Sequence, residues 1–141
     1  MSPARTVVLD NEAVQALIDP AHRKHRRVCA VVEAVAARNQ RRAGTVRLVV
    51  PTAVRVEAGW DKRASKSTPV NRLRTDDMPL DSATADRGAA IRAVLAVSIA
   101  DAHVGAVLES TEGPHAVITS DVKDMERIAA HIGVSVAVVR V

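Results

Sequence analysis

Asp10, Asp101 and Asp121 occupy one kind of position in the sequence. Asp10 directly follows the β-branched apolar run Thr6–Leu9, and Asp121 follows Val117, Ile118 and the hydroxyl pair Thr119-Ser120. Asp101 falls in the first turn of a helix that restarts after Ser98, just upstream of that second run. Carboxylates are hard oxygen ligands suited to Mg²⁺ or Mn²⁺. An ion held by them can acidify a water molecule and neutralise charge on a phosphate. An Asp at a helix start also serves as an N-cap, so position alone leaves metal binding and capping both open. Glu57 lies inside a helix, where capping does not account for it, and taken alone it reads as a solvated helix residue.

To act together, these residues need strands that end at one edge. Thr6–Leu9, residues 46–50, the short stretch 78–80, the run around Val117 and Ile118, and residues 134–139 read as strands. Helices are expected over Asn11–Ile18 and residues 22–42, the latter closed by Gly44. Others start at Thr52 as N-cap, after Asp81-Ser82, after Ser98, and over residues 125–131. Residues 61–78 are polar and basic and read as a mobile connector. Strands alternating with helices predict an α/β domain around a central parallel five-stranded sheet covered on both faces. In such sheets ligands bind at the carboxyl ends of the strands.

The chain of 141 residues is sized for one domain. Trp60 is the only aromatic residue, which excludes base stacking on protein side chains as a main binding device. Any nucleic-acid contact must run through charge. The formal net charge is +4, and sixteen of the twenty cationic residues are Arg, the side chain best suited to bidentate phosphate contacts. A GC-rich genome that favours Arg codons would produce the same bias. Cys29 stands alone, so no intrachain disulfide is possible, in keeping with a reducing cytoplasm. An aspartate follows only three apolar residues from the N-terminal region, and no apolar window is of spanning length, so a soluble cytoplasmic protein without membrane contact is expected.

The stretches VVLDNEAV, VVPTAVRVEAG, MPLDSATADRGAAIRA, SIADAHVGAV and HAVITSDVKDMERIA cover nearly the whole chain. In that order they resemble the PIN-domain nucleases, particularly VapC-type toxins. The resemblance implies a three-layer PIN-like fold over residues 1–141, metal-dependent endoribonuclease activity, a cognate antitoxin protein as partner, and a homodimer. It maps Asp10, Glu57, Asp101 and Asp121 onto an acidic quartet that binds one or two Mg²⁺ or Mn²⁺ ions, and Thr119 onto the hydroxyl of a Thr-x-Asp element. Asp124 and Glu12 are candidates for supplementary acids, the former by the same resemblance and the latter by its closeness to Asp10 in sequence. Relatives often carry Thr or Ser soon after the first Asp, where this chain has Asn11 and Glu12.

An RNA substrate would be gripped by cations. Arg23, Arg26 and Arg27 at the start of the long helix, its RNQRR end, and Lys62, Arg63, Lys66, Arg72 and Arg74 are the candidates. The helix around Val54, Ala58 and Trp60 is the candidate antitoxin contact, although a Trp in Trp60's place is more often simply core. His22 and His25 lack a completing ligand and read as surface residues, and His103 is a candidate neighbour of the acids. Two other readings remain: a PIN-like module that binds RNA or protein without cutting, and a phosphohydrolase of the haloacid-dehalogenase type. The latter expects a second Asp two residues after Asp10, where Glu12 stands.

Overall fold

The computed structural model describes residues 4–41 and 46–141. The strands are β1 (Thr6–Leu9), β2 (Arg47–Pro51), β3 (Asp76–Met78), β4 (His115–Thr119) and β5 (Val136–Arg140). The helices are α1 (Asn11–Ile18), α2 (His25–Arg41), α3 (Thr52–Ala58), α4 (Thr68–Asn71), α5 (Ser82–Val94), α6 (Ile99–Ser110) and α7 (Val122–Ile132). Every strand pair is parallel, in the order β3-β2-β1-β4-β5. The result is the three-layer α/β arrangement expected. β1 and β4 are central and buried along their whole length, as their unbroken apolar runs require.

Register carries the site. Leu9 is level with Ile118, and the Asp10 N–H donates to the Ile118 carbonyl at 3.2 Å, so Asp10 and Thr119 emerge side by side. Thr119 is level with Arg140 on the other side, which puts that arginine at the same edge. Helix α6 is buried at Ala100 and from Ala102 through Leu108, and its small residues let it pack closely against α5, α7 and α3. A Cβ on Gly105 would stand 2.7 Å from Ile91 Cδ1 and 2.9 Å from Ile128 Cγ2. Among the described residues no single helix is long and apolar enough to cross a membrane.

Several boundaries differ from expectation. Helix α2 begins at His25, because Asp19 and His22 hold turns: the Asp19 carboxylate accepts the Ala21 N–H and the His22 Nδ1 accepts the Lys24 N–H. Arg42 and Gly44, assigned to the far end of that helix, lie outside the described residues. Thr52 is not the cap of α3. Pro51 holds that position without a side-chain bond, and the Thr52 hydroxyl accepts the Leu80 N–H instead. The edge strand falls at Asp76–Met78, before Pro79, where every residue still has an N–H to give. The basic connector folds into a short 3₁₀ turn and α4, tied by Ser67 to the Asp61 carbonyl and Asn71 to the Lys62 carbonyl. The last strand starts at Val136 and ends one residue later than read, taking in Arg140.

Candidate active site

Asp10 caps α1, its Oδ1 accepting the Ala13 N–H at 2.8 Å. It is only 4% exposed. Burial raises its pKa above the usual carboxylate value, while hydrogen bonds from the Thr119 hydroxyl and the Ala13 amide pull it down and Glu12 and Asp121 push it up. Thr119, itself fully buried, receives the Asp121 N–H at 2.9 Å. Asp121 caps α7 by accepting the Asp124 N–H, and the Asp124 carboxylate accepts from Arg127. The capping reading therefore holds for Asp10 and Asp121, and it does not use up their oxygens.

Asp101 sits in the first turn of α6, which Ser98 caps by accepting its N–H at 3.0 Å. Its pKa is pushed up to about 6, first by burial and then by the charges of Asp10 and Asp124, with Asp121 a smaller influence in the same direction. These four aspartates thus feel one another across the ends of β1 and β4 and the start of α6. Glu57 stands apart. It is exposed on α3 and lines a groove with Thr52, Val56, Leu80, Arg92, Ile99 and Ala100, and it is not among the main charges acting on Asp10 or Asp101. Ala100 adjoins Asp101, so α3 carries Glu57 to the rim of the aspartate group rather than into it.

Glu12 is committed elsewhere. Its carboxylate accepts from the Ser120 hydroxyl and pairs with Lys24 at 3.0 Å, and these two contacts lower its pKa.

Among the described residues no three His, Cys, Asp or Glu side chains form a ready-made metal cage. The donor chemistry nonetheless suits a hard divalent cation, since all donors are carboxylate oxygens. A buried Asp10 beside an Asp101 raised by its acidic neighbours would gain from a positive charge placed among them.

The basic residues divide. Arg23 and Arg27 line a pocket of about 380 Å³ with Lys24, Ser120, Arg140 and Val141, beside the acids. Arg26 is exposed on α2 and does not line it. Lys62 pairs with Asp77 and Arg63 with Asp61, Lys66 lines a separate cleft with Gln15 and Pro69, and Arg72 and Arg74 line another with Asn39 and Gln40. These groups are not drawn together with the acids. Arg140 and Ser120 were missed in the sequence. The signal lay in the strand pattern: ending β5 at Val139 left Arg140 as an apparent tail residue.

His103 is a core residue. Its Nδ1 accepts the Ala53 N–H at 3.2 Å, burial lowers its pKa, and its Nε2 is buried with only the Pro79 carbonyl to attract it. It pins α6 to the start of α3 and offers nothing to a substrate. Val54 and Trp60, expected at a partner surface, are also core. The indole is 4% exposed, donates to Asn71 at 3.3 Å and has Lys62 at 4.9 Å and Arg55 at 5.7 Å from its ring centre. Among the described residues the large apolar side chains left exposed are instead Val56, Leu80, Val94 and Ile99, three of which line the groove that Glu57 shares.

No family model matches the sequence, and no curated protein matches it significantly. In structure the chain is similar to one in the crystal structure of VapBC2 from Rickettsia felis bound to a DNA fragment from their promoter. That likeness has a TM-score of 0.59 at 11% identity, covering 94% of this chain and 98% of the other. It shows that the fold is PIN-like.

Proposed function

We propose that this chain is a Mg²⁺- or Mn²⁺-dependent endoribonuclease, the toxin of a toxin–antitoxin pair. The observation that carries the reading is Asp101. A half-buried carboxyl raised to about 6 by burial, Asp10, Asp124 and Asp121, at the ligand-binding edge of a PIN-like sheet, is an arrangement poised for a cation. Asp10, Asp101, Asp121 and Asp124 would hold the ion, with Glu57 as the outer member at the rim. When bound, such an ion supplies an acidified water and charge neutralisation at a phosphodiester.

The chain's own residues prepare for this. Thr119 and Ala13 fix the Asp10 carboxylate and favour its ionised form against burial. A proton and a cation compete for the Asp101 carboxylate, so its raised pKa of about 6 weakens cation binding progressively as pH falls. Helix α6, packed on several sides, keeps Asp101 in place.

An antitoxin is the partner that goes with this reading, as the VapBC complex has one. The groove of Val56, Leu80 and Ile99 leads to Ala100 beside Asp101, so a protein segment seated there would also cover the acids. A homodimer is proposed as the assembly, on the general preference of soluble oligomers for two-fold symmetry, and the cytoplasm as its location. The alternative, a PIN-like module that binds RNA or protein without cutting, draws support from the lack of a ready-made cage among the described residues.

Calorimetric titration of Mn²⁺ and Mg²⁺ into the wild type and Asp101→Asn separates the two. Binding that is weakened at least tenfold in the variant supports the nuclease. No binding to the wild type at millimolar metal favours the non-catalytic module.

A further inference from the structure

Three arginines line the pocket beside the acids. Arg23 and Arg27 come from the approach to α2 and its first turn, and Arg140 from the end of β5, far away in sequence. None of the three makes a side-chain hydrogen bond or ion pair within the described residues. Among the other described arginines, Arg5, Arg47, Arg55, Arg63, Arg87 and Arg127 each have a carboxylate partner, and Arg26, Arg72 and Arg74, which have none, do not line this pocket. Like charges gathered in one concavity repel one another unless an anion joins them. Planar guanidinium forks match phosphate oxygens.

The fourth cation, Lys24, is taken up by Glu12, whose carboxylate also receives the Ser120 hydroxyl. This clip forms the boundary between pocket and acids. Its negative end holds an incoming anion away from Glu12 and toward the three arginines. The position is set by backbone register as well: Arg140 is level with Thr119, whose hydroxyl holds Asp10.

We propose that this pocket seats a backbone phosphate of the substrate strand next to the phosphate presented to the acids. The strand then crosses the sheet edge on the α2/β5 side, not over α3 and α4. The proposal rests on the nuclease reading and adds to it the track of the strand and three positioning residues, Arg23, Arg27 and Arg140.

The test is binding of a fluorescent single-stranded RNA to the Asp10→Asn protein across a salt series. The same strand is used with a 5′-hydroxyl and with a 5′-phosphate. Arg27→Ala/Arg140→Ala is compared with Arg5→Ala/Arg47→Ala, which removes equal charge at the opposite edge of the sheet. Both pairs are exposed, and melts confirm folding. The expected result is at least a tenfold loss for the pocket variant with either strand, a salt slope shallower by about 0.7 or more, and less than a twofold loss for the control. Equal losses for both double variants would overturn the pocket, reducing it to net charge. A loss confined to the 5′-phosphorylated strand would overturn the internal position, making it a site for strand ends. Wild-type cleavage, assayed in parallel, separates the two ideas. Cleavage with no selective binding loss removes the pocket and leaves the nuclease, whereas selective loss without any wild-type cleavage removes the nuclease and leaves a strand-binding site.

Discussion

The hydroxyl of Thr119 donates to the carboxylate of Asp10. Its oxygen meanwhile accepts the Asp121 amide at 2.9 Å, so one buried side chain joins the acid after β1 to the acid after β4. The parallel register that sets Leu9 level with Ile118 makes the contact possible. It also explains how an aspartate this deeply buried keeps support for its ionised form.

Replacing Thr119 by Val keeps the shape and removes both contacts. The Asp121 N–H loses its acceptor and Asp10 its donor, so a loss of about 1–3 kcal/mol is expected in chemical denaturation. Mn²⁺ affinity should fall as well, because Asp10 then holds its proton more strongly. A variant as stable as the wild type would show the hydroxyl to be dispensable.

Asp10 has two roles that two substitutions separate. Asp10→Ala deletes the cap acceptor for Ala13 and should cost about 1 kcal/mol. Asp10→Asn keeps an acceptor oxygen while removing a buried charge, so its melting temperature without metal should equal or exceed that of the wild type. Cleavage should be abolished in both. Strong destabilisation by Asn would make Asp10 a structural charge and not a ligand.

Asp101 gives a signed pH dependence. Its folded pKa of about 6 lies above the 3.8 of an aspartate in an unfolded chain, so the folded state binds the proton more tightly. The associated stability is fully present below pH 3.8 and is lost as pH rises through about 6. Because Asp101 is only partly buried, solvent screening limits the effect to about 1 kcal/mol. Without metal, wild type should therefore lose stability relative to Asp101→Asn across that window. Parallel melting curves in the two proteins would remove the shift. Metal-dependent cleavage, conversely, should rise through the same range.

Much of this architecture was legible in residue order. Apolar, largely β-branched runs identified β1, β2 and β4, and an aspartate or serine marked where α1, α5 and α6 begin, whereas α7 starts at Val122, three residues earlier than read. Helix stripes and caps are local, so one sequence suffices for them. Pairing partners are not local. Nothing near Lys62 in the sequence told a solvated, substrate-facing cation from one held by Asp77, and Val54 was placed at a partner surface until packing was known. Glu57 was found by its place in a series, and whether it joins the other acids depends on how α3 lies against α6. Arg140 was hidden for the opposite reason: its importance comes from strand register with Thr119, which leaves no mark on neighbouring residues.

Gly105 tests how α6 is held. Alanine would gain about 1 kcal/mol of helix propensity, but its Cβ would press on Ile91 and Ile128, and overpacking costs about 1–3 kcal/mol. A net loss of about 1 kcal/mol is expected by denaturant titration, with reduced Mn²⁺ affinity as Asp101 shifts. Unchanged stability would mean that the two isoleucines move aside freely.

The most direct measurement is cleavage of labelled total RNA by purified protein free of any partner, with Mg²⁺ or Mn²⁺, with EDTA, and with Asp10→Asn and Asp101→Asn controls. The predicted result is a set of discrete fragments that require the metal and vanish in both variants. Fragments that persist in EDTA, or in Asp101→Asn at wild-type yield, would contradict a metal-dependent nuclease built on these aspartates.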